Sequence, residues 1–208
     1  MNQIAHTEKI SRGLFNEPFI RFFRGLFLPL CRVLKYAGIT PNAVTYVSLF
    51  FGLTAGVFIA MDRIYLGLIA GLIMGFADIV DGQLANEFDG VTVFGGVLDS
   101  TVDRYNEFFI FAGFAWRYAA LERDLWIIPC VLAFFGSVMI SYVKSRAESS
   151  GLECKVGRLQ RPERLTLTAV GVLFGSVGID VVVAFLAIFT QATVFARLLH
   201  VWRQSRRK

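Results

Sequence analysis

Six apolar stretches, at residues 44–61, 65–85, 94–118, 125–145, 165–178 and 181–200, divide this chain at close intervals. A helix needs about 20 apolar residues to cross the hydrocarbon core of a bilayer. Lipid offers no hydrogen bonds to an open backbone, so spanning segments must be helices or closed barrels. The chain is therefore expected to be all-α: a polytopic membrane protein with six transmembrane helices, the last two meeting at a tight turn over Gly178-Ile179-Asp180. Of its 208 residues, 55% are hydrophobic and 18% charged, against about 25% charged in soluble domains. That balance excludes a disordered chain and a secreted disulfide scaffold. Cys31, Cys130 and Cys154 stand far apart, with no metal-binding spacing.

Charge gives the orientation. A net charge of +5 in a membrane chain reads as loops beside anionic lipid, with no nucleic-acid partner. Lys and Arg gather before residue 40, at residues 146–164 and after residue 202. With six spans, both termini and the second and fourth loops share that face, which is expected to be cytoplasmic in a plasma membrane of bacterial or archaeal type.

Residues 1–40 lack the apolar core and cleavage site of a signal peptide. Asn16-Glu17-Pro18 reads as a helix start. The stretch after it mixes Phe, Leu and Ile with Arg21, Arg24, Arg32 and Lys35, the pattern of an amphipathic helix lying in the membrane interface. Gly38 ends it, and Thr40-Pro41-Asn42 caps the first span. Two parts follow: a cytoplasmic or interfacial segment, residues 1–40, and a six-helix membrane domain, residues 41–208. Gly67, Gly71 and Gly75 recur every fourth residue and predict close helix packing.

Four acids interrupt the apolar pattern. Asp78 and Asp81 are spaced i,i+3, and Asp99 and Asp103 i,i+4, so each pair lies on one helical face. An acid near the centre of a spanning helix costs about 2.5–3.5 kcal/mol and usually marks function. Four on adjacent antiparallel helices repel unless a cation holds them, and Arg104 alone cannot neutralise them. Oxygen ligands without His or Cys select hard cations such as Mg²⁺ or Mn²⁺. Four carboxylates suit two ions about 3.5–4 Å apart, an arrangement of phosphoryl chemistry. Beside them, Gly82, Ala85 and Gly95 leave room for a bulky nucleotide or diphosphate against the backbone.

At these residues the chain resembles the CDP-alcohol phosphotransferases, whose signature is D-x2-D-G-x2-A-R-x8-G-x3-D-x3-D. The sequence reads Asp78-x2-Asp81-Gly82-x2-Ala85-Asn86-x8-Gly95-x3-Asp99-x3-Asp103, matching every fixed position except the arginine, replaced by Asn86. The resemblance implies an enzyme that splits the pyrophosphate of a CDP-alcohol, usually CDP-diacylglycerol, and releases CMP as an acceptor hydroxyl attacks phosphorus. It implies that Asp78, Asp81, Asp99 and Asp103 bind metal, with Asp103 also the general base. Thr40, Pro41, Asn42, Ala43, Gly82 and Thr92 would contact the CDP portion, and a homodimer is common in the family. Asparagine at position 86 carries no charge, which predicts weaker CDP-lipid binding or compensation by a nearby basic residue.

Ser141, Lys144 and Arg146 bring a basic constellation to the end of the fourth span, suited to an acceptor's phosphate. With the loop Cys154-Lys155-Val156-Gly157-Arg158 and Arg161-Pro162-Glu163-Arg164, this is similar to the phosphatidylinositol-phosphate synthases. That likeness implies a phosphorylated polyol acceptor, inositol phosphate, held by Ser141, Lys144, Arg146, Arg158, Arg161 and Arg197. Glycerol 3-phosphate is the rival acceptor. A UbiA-like prenyltransferase would need more spans and different Asp motifs, and a cation transporter would not need Gly82 or Gly95.

Overall fold

Every described element of the computed structural model is helical. The structure describes residues 17–88, 90–154, 156–157 and 159–206, with residues 17–26 described by backbone alone. In chain order the helices are α1 (Glu17–Tyr36), α2 (Pro41–Ala60), α3 (Ile64–Glu87), α4 (Val93–Ala120), α5 (Ile127–Ser149), α6 (Arg161–Leu173) and α7 (Gly175–Ser205). A single 3₁₀ turn, Asp124–Trp126, leads into α5. A helix does form where the interfacial one is expected, while residues 1–16 of the N-terminal segment lie outside the described residues.

Four helices are long and apolar enough to cross a membrane: α2, α3, α5 with its leading turn, and α7. This is an integral membrane protein. The other two expected spans depart from that standard for different reasons. α4 carries Asp99, Asp103, Arg104, Glu107 and Arg117, and α6 has only 13 residues.

The bundle turns apolar surface outward. Phe50, Leu72, Phe135, Ile188 and Phe195 are exposed, as lipid-facing side chains are. Its core holds Met74, Phe114, Tyr118, Ile179, Val183 and Leu186. α2 and α4 touch backbone to backbone: a Cβ added to Gly56 would stand 2.4 Å from the Phe109 carbonyl oxygen, and one on Gly113 2.5 Å from that of Gly56. Toward the N-terminal ends of these two helices, Asn106 donates to Ser48 Oγ (2.9 Å), which in turn donates to the Met74 carbonyl at 3.3 Å. That buried chain ties α4 through α2 to α3.

Two glycine readings change. The turn between the last helices lies at Phe174-Gly175, four residues before the expected Gly178-Ile179-Asp180. Gly175 takes φ +68°, open to glycine at no steric cost. Gly178 instead lies inside α7, where a Cβ would fall 2.2 Å from the Gly171 carbonyl oxygen; it is a packing residue. In α3, only Gly67 packs tightly, its added Cβ meeting Ile59 Cγ1 at 2.6 Å. Gly71 and Gly75 have nothing within 4 Å of that position.

Charged side chains fasten the end of the bundle where α2–α3, α4–α5 and α6–α7 connect. Arg117 Nε donates to Asp62 (2.6 Å) and its Nη2 to Ser176 (2.9 Å). Tyr118 donates to Asp180 at 2.7 Å, and Arg123 makes two bonds to the same carboxylate at 3.1 and 2.8 Å. The hydrogen bond to Asp180 raises the pKa of the Arg123 guanidinium above its ordinary value.

Candidate active site

At the opposite end, the last turns of α3 and the first of α4 bring the acids together. Asp78, Asp99 and Asp103 each offer a carboxylate oxygen, all within 4.8 Å of one another. Asp81 is turned toward α2 and is 4% exposed; Thr45 donates to its Oδ2 at 2.6 Å. Three of the four expected ligands thus form one cluster, and the fourth is held just aside by a hydroxyl that sequence spacing did not single out.

Arg161, the first residue of α6, reaches into this cluster. Its Nη1 donates to Asp78 Oδ2 at 2.7 Å. Its Nη2 stands 2.7 Å from Asp103 Oδ1, close as an ion pair but poorly aligned as a hydrogen bond. The start of α6 is itself anchored. Gln160 and Glu163 form a capping box, with Gln160 N donating to Glu163 Oε2 at 2.9 Å. Arg164 Nη2 lies 2.6 Å from Glu107 Oε1, the two side chains 4% and 5% exposed, and its Nη1 donates to the Leu159 carbonyl at 3.0 Å. Arg104 lies 3.9 Å from Asp103 Oδ2 and also donates to the Ser100 carbonyl.

The donor set tests whether a metal fits. Among the described residues the cluster presents carboxylate oxygens alone, with no nitrogen or sulfur ligand, and the two guanidinium groups are fewer than the four acids. A hard divalent cation suits such a set.

One turn along α3 from Asp81, a cavity of about 350 Å³ opens where α1, α2 and α3 meet the start of α4, with none of the four acids in its lining. Thr40, Pro41, Asn42 and Thr92 line it, together with Lys35, Leu84 and Phe88. Thr40 Oγ1 caps α2 by accepting from Ala43 N at 3.3 Å, and Thr92 Oγ1 caps α4 by accepting from Gly95 N at 2.9 Å. A Cβ on Gly95 would meet Asn42 Oδ1 at 3.2 Å, so the two helix starts abut. Gly82 is exposed with nothing within 4 Å of an added Cβ, and Ala85 beside it is half-buried. Asn86 folds back on its own helix, Nδ2 donating to the Gly82 carbonyl at 2.6 Å.

The residues expected around an acceptor scatter more. Ser141 is half-buried and Arg146 exposed on α5, and Lys144 lies 3.9 Å from Glu148. Arg158 lies outside the described residues. Arg197 is buried and donates to the carbonyls of Val156 (2.9 Å) and Ile140 (2.5 Å), which makes it a brace between α7, α5 and the loop before α6. Thr45 and Glu107 escaped sequence reading, and Arg164 entered it only as part of a loop motif, because each matters through a partner at least 36 residues away.

Acids converging at one end of a helical membrane bundle are the oxygen-only set of a metal-dependent membrane enzyme. Residues 38–202 match the CDP-alcohol phosphatidyltransferases, and the chain belongs to that family. It is similar to the phosphatidylinositol phosphate synthase of Mycobacteroides abscessus, 36% identical over 159 residues, or 73% of this chain and 70% of that protein. Two crystal structures of the Mycobacterium tuberculosis phosphatidylinositol phosphate synthase share its fold. The one in complex with manganese and citrate has a TM-score of 0.77 at 33% identity, covering 84% of this chain and 88% of the other. The one with CDP-DAG bound has a TM-score of 0.76 at 32% identity, covering 84% and 92%.

Proposed function

We propose that the protein transfers the phosphatidyl group of CDP-diacylglycerol to a hydroxyl of inositol phosphate, releasing CMP in phospholipid synthesis. The observation that carries this reading is the convergence of Asp78, Asp99 and Asp103 within 4.8 Å, on the two helices whose ends, at Leu84 and Thr92, border a cavity also lined by Thr40, Pro41 and Asn42. In the reaction, the acceptor oxygen forms a bond to the phosphorus bearing the lipid, and the bond from that phosphorus to the bridging pyrophosphate oxygen breaks. CMP carries away the electron pair, and the hydroxyl proton passes to the Asp103 carboxylate.

Asp78, Asp81, Asp99 and Asp103 would hold two divalent ions, Mg²⁺ or Mn²⁺, which supply positive charge against the pyrophosphate. Asp81 is kept ready for this by Thr45. Ala43 N and Gly95 N are taken by the Thr40 and Thr92 caps and Pro41 has no N–H, so what the two helix starts would offer an anionic donor is chiefly the positive ends of their dipoles. Gly82 leaves its backbone approach clear and Ala85 adds little bulk beside it, whereas Gly95, expected to do the same, faces Thr92 and Asn42 and lets the two helix starts pack together. Ser141, Lys144, Arg146, Arg158 and Arg161 would hold the acceptor phosphate, with Arg197 bracing the loop behind them.

In the same reading α4 and α6 complete a six-span bundle, α4 being about 42 Å long at 1.5 Å per residue. α1 lies in the interface, the active site and both termini face the cytoplasm, and the enzyme works as a homodimer. Cross-linking in native-like bilayers that yields monomer alone would remove the dimer. The reading of the reaction is tested by CMP release from CDP-diacylglycerol with inositol phosphate, inositol, glycerol 3-phosphate and serine in turn. Inositol phosphate should give the fastest release; a preference for glycerol 3-phosphate would reassign the acceptor, and no CMP with any of them would overturn the reaction.

A further inference from the structure

The cavity between the starts of α2 and α4 has one cationic side chain among the described residues that line it, Lys35. Its place is fixed by the backbone. α1 ends in a Schellman motif: Ile39 N donates to the Leu34 carbonyl and Gly38 N to that of Lys35, both at 3.0 Å. Gly38 takes φ +73° and turns the chain directly into the Thr40 cap of α2. Lys35 is therefore held one turn before the helix start that borders the cavity. It is exposed and joins none of the ion pairs among the described residues.

Among the described residues, the two arginines that stand against the acids are engaged elsewhere. Arg161 bridges Asp78 and Asp103, and Arg104 lies against Asp103 and the Ser100 carbonyl. Asn86 stands where the signature has arginine and turns its amide onto the Gly82 carbonyl. A nucleotide diphosphate bound here would meet two helix starts and the acids with their ions, yet no cation from α3. We infer that Lys35, reaching in from α1, supplies the cationic contact to the nucleotide-lipid donor that Asn86 does not. Lysine suits the task as a mobile point charge on a flexible stem. This rests on the CDP-lipid reading above, and it makes α1 part of the donor site.

The test uses the full-length protein in lipid nanodiscs with Mn²⁺, comparing wild type with Lys35→Gln, Lys35→Arg, Asn86→Arg and the double variant Lys35→Gln/Asn86→Arg. Two quantities are read: the Kd of CDP by calorimetry, and the KM for each substrate from CMP release. Lys35→Gln should raise the CDP Kd and the CDP-diacylglycerol KM on the order of tenfold, the loss of one charged contact. The inositol phosphate KM should stay within twofold, Lys35→Arg should stay close to wild type, and the double variant should recover most of the lost affinity. Lys35→Gln binding CDP as tightly as wild type, or Asn86→Arg improving both backgrounds by the same factor, would overturn the substitution of one cation for the other. A wild-type protein that binds no CDP would overturn the donor reading itself, a result distinct from normal binding untouched at Lys35.

Discussion

Asp103 and Glu107 sit one turn apart on α4, and their surroundings give them opposite tasks. Asp103 shares its cluster with two other acids, while Glu107 is sealed against Arg164. Asp103→Asn keeps the shape and removes the proton acceptor, so CMP release should fall to background while circular dichroism and the unfolding temperature hold. Retained turnover would remove Asp103 as base. Glu107→Gln should act the other way round, on stability: a buried arginine left without its partner costs about 3–5 kcal/mol. Its unfolding temperature should drop well below that of wild type, and Glu107→Gln/Arg164→Met should recover part of the loss. An unchanged temperature in the single variant would show that the pair holds nothing together.

The helices were legible where the apolar pattern was continuous, and the acids were legible because i,i+3 and i,i+4 spacing needs no knowledge of the fold. The link from Arg161 to Asp78 joins residues 83 positions apart, which no local spacing reveals. Glycines misled in a consistent way. Gly175 and Gly178 look alike in sequence, yet one supplies a left-handed backbone and the other a bare surface for Gly171. Gly67, Gly71 and Gly75 share a spacing, but the partner helix meets only Gly67. Gly67→Leu should therefore lower the unfolding temperature sharply, whereas Gly71→Ala should match or slightly exceed wild type, because alanine is the better helix former by about 1 kcal/mol. Equal losses at both positions would mean that a second surface covers Gly71.

Taken together, the bundle keeps its charged fastenings at both ends and its apolar surface outward, with the acid cluster, among the described residues, at one end. Chelation should distinguish these parts. Stripping divalent ions with EDTA should stop CMP release while leaving helix content unchanged, and Mn²⁺ or Mg²⁺ should restore it; turnover that persists after stripping would argue against metal at Asp78, Asp99 and Asp103. The mutual contact of Gly56 and Gly113 reaches further than local packing. From it, α2 runs 14 residues to Asn42 and α4 runs 14 residues to Asp99, two arms of about 21 Å each. The gauge between the proposed nucleotide seat at Asn42 and the acid cluster is thus struck by peptide groups, which have no rotamers to exchange. Mutation elsewhere can loosen the enzyme's grip on either substrate, but altering that span requires prising two backbones apart.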